Sequence, residues 1–338
     1  MTTSPAEIVS RIPANYLKAH ASGDLFFYDS DVHTHREDAG IEFEIRLCPA
    51  LQKKPKEPSV HFDPKVDGSG KKPDPFAPPY IPNLYVGELR DEEEGQEYVV
   101  LLNKFCVVPE HFLLVTKDHQ SQTAPLLPPD LVQTYLLLEA SRRAGKPVFA
   151  FYNCGDVSGA SQHHKHLQFM PSDFNGPPIE QLAGEAKVES PGRPFSLSQL
   201  PYANHIRRLP PALSSMPPQE MEQTLSEAFF TLLDLVISTV RHDPSYPAGS
   251  PSYNVILTSE HMYLFPRKFE DYRLPETGEK ISVNALGFAG MMLVKSDGEL
   301  EAVKKVGILN ILKAVGVTSV HDVQVEGTAA ETEHLNQS

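Results

Sequence analysis

Hydrophobic and polar residues alternate in the segment IEFEIRL, which begins at residue 41. Its apolar residues occupy every second position: Ile41, Phe43, Ile45 and Leu47. Because successive side chains of an extended chain point to opposite sides, this alternation predicts a strand over residues 41–48 with one buried face. A shorter strand is predicted at residues 25–28. Residues 53–83 are dense in proline, glycine, lysine and aspartate, which is typical of a solvated linker whose ends could line a site.

Apolar runs and breaks follow one another through the middle of the chain. The segment EYVVLLNKFCVVPEHFLLVTK, from residue 97, predicts two strands, the second over residues 112–116. In PPDLVQTYLLLEASRRAGKP, an early proline and the helical spacing of Leu131, Tyr135 and Leu138 predict a helix that stops at Gly145. A short buried strand is expected at residues 148–152. A glycine-containing turn and a strand over residues 166–170 follow it.

The second half begins after a polar, proline-rich connection at residues 172–218. Apolar residues then recur at helical spacing and predict one long amphipathic helix: Met221, Leu225, Phe229, Leu232, Val236 and Val240. SYNVILT and MYLFPR predict two strands about a hairpin, and ISVNALGFAGMMLVK predicts a loop that leads into an apolar strand. A closing helix is predicted over residues 300–315, ending before Gly316.

This mixture of strands and helices predicts an α+β fold, with helices packed on one face of an antiparallel sheet. We expect residues 1–211 and residues 212–325 to form two regions that pack on the same core. The tail at residues 326–338 has too few apolar residues to order itself. Nothing in the sequence repeats at a fixed period.

Composition narrows the class of protein. The three cysteines, Cys48, Cys106 and Cys154, are far apart and form no C-x-x-C pair, which argues against a disulfide framework and a zinc ribbon. No secretory leader and no run of eighteen apolar residues is visible, so we expect a cytoplasmic protein, with the nucleus as a second compartment. The formal net charge of −14 argues against a nucleic-acid or anionic-membrane partner. An anionic small molecule remains open, provided that basic side chains converge locally.

Three histidines fall within four positions in the stretch FYNCGDVSGASQHHKHLQFMPS: His163, His164 and His166. In a strand, alternation places His164, His166 and Gln168 on one face and Lys165, Leu167 and Phe169 on the other. A row of two imidazoles and an amide is costly to bury unless it meets a ligand. A neutral imidazole attacks phosphorus readily, so the row is suited to a histidine nucleophile beside an amide that holds a phosphate oxygen.

Two other interpretations of the row stay open. It could be a surface strand with incidental histidines, or two histidines at i and i+2 could chelate a metal ion. A metal site needs a third and a fourth ligand, and no cysteine or carboxylate pattern nearby supplies them. The preceding turn, GDVSGASQ, favours the nucleophile, because its glycines allow close backbone approach and its amides can wrap an anion.

At these residues the chain resembles the histidine triad superfamily, in the branch that has glutamine in the third place. It looks most like the fungal diadenosine tetraphosphate phosphorylases, also called ATP adenylyltransferases. The resemblance covers most of the chain and is carried by four segments: NKF at Asn103, HFLLVTK ending at Lys117, YNCGDVSGASQHHKHLQ, and NALGFAGMMLVK ending at Lys295. The related hexose-1-phosphate uridylyltransferases have proline between the two histidines, where this chain has Lys165.

The resemblance implies cleavage of diadenosine tetraphosphate by inorganic phosphate, giving ATP and ADP through an adenylylated histidine. It makes His166 the nucleophile, uses the backbone near His164 to orient its ring, and assigns Gln168 to the α-phosphate. It also implies a substrate-binding set: Lys53 or Lys54, Asn103, Lys104, Asn153, Gly159, Ala160, Ser161, Gln162, Gln168, Asn284, Ala285, Leu286, Met291 and Lys295. An acidic protein that holds a tetraphosphate must gather lysines in one cleft, which supports the lysines of this set. Lys117 is a further candidate for this positive cleft.

The expected partners are therefore small nucleotides: diadenosine tetraphosphate, ATP and ADP, together with phosphate. We expect no tightly bound cofactor, no protein-held metal and a monomer; Mg²⁺ would accompany the nucleotide. Two other functions stay open. A hydrolase would keep the nucleophile but let water open the intermediate, and a nucleotide sensor would bind without reacting. The presence of His166 counts against the sensor, and dependence on phosphate separates the other two.

Overall fold

The computed structural model describes residues 3–37, 40–53, 74–173, 176–188, 190 and 192–319. The central part of the proline-rich linker, Lys54 and the tail at residues 326–338 lie outside these described residues, as does the side chain of Lys53. Within them, no helix is both long enough and apolar enough to cross a membrane.

The described residues form seven helices and fifteen strands. The helices are α1 (Pro5–Ser22), α2 (Pro128–Arg143), α3 (Pro178–Glu185), α4 (Pro218–His242), α5 (Ala285–Ala289), α6 (Asp297–Val306) and α7 (Ile308–Val315), with short 3₁₀ helices at Pro49–Lys53 and Leu213–Ser215. The strands are β1 (Phe26–Phe27), β2 (Asp31–Arg36), β3 (Glu42–Leu47), β4 (Tyr85–Arg90), β5 (Glu97–Leu102), β6 (Phe105–Cys106), β7 (Phe112–Thr116), β8 (Val148–Cys154), β9 (His166–Pro171), β10 (His205–Arg208), β11 (Ser252–Leu257), β12 (His261–Arg267), β13 (Asp271–Arg273), β14 (Lys280–Ser282) and β15 (Met291–Val294).

One eight-stranded sheet organises the molecule, in the order β10-β12-β11-β8-β9-β7-β5-β4. All its neighbouring strands are antiparallel. Three of its strands, β10, β11 and β12, follow α3 in the chain, and β8 pairs directly with β11. A smaller sheet, β15-β3-β2, and two strand pairs, β1-β6 and β13-β14, lie beside it.

Helices α1, α2 and α4 cover one face of the large sheet. Leu131 and Leu138 of α2 and Phe229 of α4 pack in the same buried cluster as Leu167 and Phe169 of β9. Burial of such side chains contributes roughly 1.5–3 kcal/mol each, which holds the helices to the sheet. The predicted α+β class, with helices on one face of an antiparallel sheet, is confirmed.

The small sheet and the remaining helices form a second buried cluster beside the opposite face. The alternating apolar residues of β3 and of the position before it lie in this cluster, as their spacing predicts: Ile41, Phe43, Ile45 and Leu47. They share it with Met170 of β9 and with Phe288 of α5. The second cluster therefore joins the C-terminal elements to the strand that begins at His166.

Several elements differ from the sequence-based expectation. Helix α3 and strand β10 lie within residues 172–218, which were expected to be a polar connection, and strands β2 and β4 were not predicted. The patterns did not indicate α1, although Ser4 and Glu7 form a capping box ahead of its buried Ile8 and Ile12. The closing helix is two helices, because Gly307 interrupts it with φ +86. The expected loop before β15 contains the five-residue helix α5, whose first turn is capped by Asn284.

Candidate active site

His166 opens strand β9 and is buried, with 3% of its surface exposed. Its Nδ1 lies 2.8 Å from the carbonyl oxygen of His164. Its backbone N–H donates to Oε1 of Gln122 at 2.9 Å, and the Nε2 group of Gln122 donates to the carbonyl of Asn153 at 2.8 Å. Gln122 thus ties the start of β9 to the end of β8, and the imidazole is fixed on both its ring and its backbone.

The alternation predicted for the histidine row is confirmed. Lys165 points to the helical face, where it is fully buried and its Nζ lies 2.7 Å from Oδ2 of Asp130 in α2. Tyr98 donates to the other oxygen of Asp130 at 2.7 Å. A buried charge requires such pairing, because transfer out of water is otherwise very costly. The opposite face of β9 is left to His166 and Gln168.

Burial lowers the pKa of His166 from 6.5 to about 4, and the neighbouring ring of His164 acts in the same direction. The bond to the His164 carbonyl and the carboxylate of Asp74 oppose the shift but are weaker. The ring is therefore neutral near neutral pH. Since Nδ1 faces a carbonyl oxygen, the single proton belongs on Nδ1, and Nε2 carries the lone pair that a nucleophile needs.

The side chain of His164 has contacts of its own. Its Nδ1 lies 2.7 Å from Oδ2 of Asp74, and its Nε2 lies 2.7 Å from the carbonyl oxygen of Thr116. Asp74 also accepts from the backbone N–H of Phe76 at 2.9 Å. The Phe76 ring lies 5.0 Å from that of His166, centroid to centroid. Sequence reasoning missed Asp74 and Phe76, because they lie inside the proline-rich linker at residues 53–83, where no periodic pattern marks them.

Gln168 and Asn103 meet at a third buried histidine. His111 precedes β7 and contacts Gln168 by a side-chain hydrogen bond. The Nδ2 group of Asn103 lies 3.1 Å from Nδ1 of His111, and Oδ1 of Asn103 accepts from the N–H of Phe105 at 3.1 Å. Burial lowers the pKa of His111 to about 4, with the Gln168 bond opposing. His111 was not singled out from the sequence; its place beside β7, on the face of Leu113, is the signal that could have found it.

The turn between β8 and β9 lies against the C-terminal half of the chain. Gly159 has φ +81, and a Cβ there would lie 2.7 Å from the carbonyl oxygen of Val283 and 2.8 Å from Cβ of Asn284. Ala160 and Gln162 are half-buried and Ser161 is exposed. The close approach requires glycine, and it brings two separate parts of the predicted set together.

A buried polar network holds the two sides of this contact, the turn after β8 and the start of α5, in place. Oδ1 of Asn153 accepts from the backbone N–H of Ala285 at 3.0 Å and from Asn254 at 2.8 Å. Arg267, which is fully buried, donates to Oδ1 of Asn254 at 2.6 Å and to the carbonyl of Ser158 at 3.1 Å. In this structure the buried side chain of Asn153 therefore positions the backbone of Ala285. Neither Asn254 nor Arg267 was predicted, because each reads as one polar residue in an apolar strand.

A cavity of about 250 Å³ lies beside the Met170 end of β9. Four predicted residues line it: Asn284, Leu286, Met291 and Lys295. Arg46 and Lys280 add positive charge at its wall, and Glu299 adds one carboxylate. Because Met170 follows His166 and Gln168 at two-residue steps, the cavity continues the row along the same face of the strand.

Two predicted lysines lie in other surroundings. Lys104 lies 6.0 Å from the ring centre of Phe26 and 5.9 Å from that of Phe105, and burial lowers its pKa. Lys117, the further charge candidate, is paired with Glu88 at 3.0 Å and Glu97 at 3.3 Å. These carboxylates already balance the charge of Lys117, so it is a poor choice for holding phosphate.

One group of described side chains has the spacing of a metal site: Glu180, Glu260 and His261. Within it, Nδ1 of His261 lies 2.6 Å from Glu180, and Tyr263 donates to the other oxygen of Glu180 at 2.6 Å. Nε2 of His261 accepts from Arg208 at 3.2 Å. Both ring nitrogens of the histidine are thus engaged by protein groups, which makes the group a structural hydrogen-bond cluster.

Comparisons with known proteins agree with this geometry. A family model described as Ap4A phosphorylase N-terminal domain matches residues 1–184, and one described as ATP adenylyltransferase C-terminal domain matches residues 198–318. Diadenosine tetraphosphate phosphorylase 2 of Saccharomyces cerevisiae is 31% identical over 272 residues, which is 77% of this chain and 78% of the yeast protein. Protein APA1 of the same yeast is 30% identical over 309 residues, 87% of this chain and 88% of that protein. The crystal structure of yeast Ap4A phosphorylase Apa2 in complex with Ap4A matches with a TM-score of 0.75 and 25% identity, covering 95% of this chain and all of that one.

Proposed function

The chain belongs to the Ap4A phosphorylase family, and from this premise we propose that it cleaves diadenosine tetraphosphate with inorganic phosphate to give ATP and ADP. The observation that carries the proposal is the state of His166. Its ring is neutral, its Nδ1 is tied to a carbonyl 2.8 Å away, and its Nε2 therefore has a lone pair. A nucleotide sensor has no need for such a group.

The reaction divides into two displacements at one phosphorus atom. Nε2 of His166 attacks the α-phosphorus of one adenosine; the N–P bond forms, the bond to the bridging oxygen breaks, and ATP leaves. An oxygen of inorganic phosphate then attacks the same phosphorus, the N–P bond breaks, and ADP leaves with the neutral imidazole restored. While the adduct exists the ring is cationic, and the carbonyl of His164 accepts its Nδ1–H throughout.

The surrounding residues would hold the substrate. We assign Gln168, oriented by its bond to His111, to the α-phosphate, and the turn with Gly159 and Ser161 to the adjacent phosphates. The cavity at Asn284, Leu286, Met291 and Lys295 has apolar and basic walls, which suits a nucleoside with its phosphates. We expect Mg²⁺ to arrive with the polyphosphate and to neutralise part of its charge.

Purified protein incubated with diadenosine tetraphosphate, with and without phosphate, tests the function. Equal amounts of ATP and ADP should form over repeated turnovers, which require phosphate; without phosphate, only about one equivalent of ATP per enzyme should appear as the adduct forms. AMP and ATP released without phosphate would instead assign the hydrolase. When phosphate is withheld, an acid-labile adduct with the mass of an adenylyl group should map to His166, and a label on His163 or His164 would contradict the assignment.

The matched variants are His166→Ala and His163→Ala. Removal of a nucleophile commonly lowers kcat by several orders of magnitude, so His166→Ala should be nearly inactive yet folded. His163 is exposed next to the row, and its variant should keep nearly normal turnover. A folded His166→Ala protein with more than about a tenth of the normal activity would overturn the nucleophile.

A further inference from the structure

Phe76 packs against the nucleophile. Its ring centre lies 5.0 Å from that of His166 and 6.1 Å from that of His164, and the Phe76 side chain is half-buried. Behind it, Phe76 packs on the apolar patch formed by Val99, Leu101, Leu113 and Val115 of β5 and β7. The phenyl ring therefore contacts both the imidazole and this apolar patch.

Asp74 fixes the start of the Phe76 segment. One carboxylate oxygen accepts from the N–H of Phe76 at 2.9 Å, and the other lies 2.7 Å from Nδ1 of His164. His164 is itself anchored, because it is 2% exposed and its Nε2 lies 2.7 Å from the carbonyl of Thr116 in β7. We call His164, Asp74 and Phe76 the aromatic clamp, since contacts run through them from β7 to the ring of His166.

We propose that Asp74 and Phe76 are positioning residues for His166: held by His164, the carboxylate keeps the phenyl ring over the imidazole, which stays oriented and shielded from water. The inference rests on the proposed role of His166 as nucleophile. It gives the His164 side chain a task separate from that of its carbonyl group. The carbonyl group of His164 fixes the proton on Nδ1 of His166, and the side chain of His164 holds Asp74 and Phe76 beside the His166 ring.

Shielding has a measurable consequence. Loss of contact with water is the largest cause of the lowered pKa of His166, about 4. Among the described side chains, the charged or titratable groups that face it are His164, Asp74 and His111. Removal of the phenyl ring admits water and leaves these three groups in place. The pKa of His166 should therefore rise towards its ordinary value.

The experiment is an NMR titration of the His166 ring in substrate-free protein, compared between the wild type and Phe76→Ala. We expect the midpoint to rise by about one pH unit or more, and Phe76→Leu to restore most of the shift. The control is Phe195→Ala, which removes a half-buried phenyl ring 6.1 Å from another buried histidine, His261, and should leave His166 unchanged. An unchanged midpoint in folded Phe76→Ala would overturn the proposal.

Kinetics supply the second readout. Phe76→Ala should lower kcat more than it raises KM, and the acid limb of its pH profile should move up with the NMR midpoint. If Asp74 acts through Phe76, Asp74→Ala combined with Phe76→Ala should be little worse than Phe76→Ala alone; additive losses would contradict the clamp. Absence of phosphate-dependent cleavage in the wild type would refute the proposed function, whereas the substrate-free titration would still decide the shielding.

Discussion

Two buried histidines of this protein have the same lowered pKa and different chemical uses. The pKa values of His166 and His205 are both about 4, and burial is the main cause for each. Nε2 of His205 contacts the hydroxyl of Thr239 at 3.0 Å, under the cover of α4. In His166 the bonded nitrogen is Nδ1, so Nε2 keeps the lone pair. At the scale of the residue, the choice of bonded nitrogen separates a structural imidazole from a nucleophile.

Single-residue predictions succeeded where neighbours along the chain determine the surroundings. The opposite faces of Lys165 and His166 follow from alternation alone. The sequence did not predict that Asp74, His111 and Arg267 belong to the site, because their contacts come from strands and turns far away in sequence. Arg267 reaches Ser158, 109 positions earlier, and no local pattern encodes such a distance. The substrate contacts assigned to Lys53 and Lys54 stay predictions outside the described side chains.

Lys295 should respond to the charge of the substrate. It is exposed at the wall of the cavity, so Lys295→Ala should weaken kcat/KM for diadenosine tetraphosphate by about tenfold or more, the usual range for a lost charged hydrogen bond. The loss should be smaller for diadenosine triphosphate and should shrink as salt rises. Lys304→Ala, on α6, is the control. Equal losses for both substrates at every ionic strength would make Lys295 structural.

At the scale of the element, strongly periodic segments were predictable and short ones were not. The spacing in α4 and the apolar run of β7 both led to the observed elements. Helix α5 has only five residues, and all but Leu286 are buried, so its composition cannot be told from that of a buried strand. The break at Gly307 was hidden because apolar residues continue on both sides of it.

The turn between β8 and β9 allows a matched test of close approach. Gly159→Ala places a methyl group 2.7 Å from the Val283 carbonyl, so the turn must move away from Asn284. We expect KM to rise severalfold and stability to fall by more than the ~1 kcal/mol that a left-handed alanine costs. Gly145→Ala is the control, because its φ is +71 and nothing lies within 4 Å of the new Cβ. Equal effects of the two variants on KM would refute the contact.

At the scale of the whole molecule, the buried neutral histidines predict sensitivity to acid. His111, His166 and His205 have pKa values of about 4 in the folded protein, against about 6.5 in an unfolded chain. Between these values the unfolded chain binds more protons, so stability is present above pH ~6.5 and is lost as pH falls towards ~4. Each histidine accounts for about 3 kcal/mol of this loss.

Urea unfolding between pH 7.5 and 4.5 measures this loss. Most of that range lies above the ordinary pKa of carboxylates, so the histidines should dominate the slope. His205→Gln keeps a group that can bond to Thr239 and removes one titrating ring, and it should reduce the slope by about one proton. A wild-type stability that is flat from pH 7.5 to 5 would contradict the buried neutral rings.

The shared sheet also determines how the chain can be divided. A cut in the connection between residues 184 and 198 would leave β8 on one piece and β11 on the other, each with the hydrogen-bonding edge that the other satisfies. Isolated open edges of this kind invite aggregation. If the two fragments are produced together, β8 and β11 can pair again. The contact between Gly159 and Asn284 would form only when the fragments associate. The molecule is thus suited to a split reporter, in which recovered turnover signals that two fused partners have met.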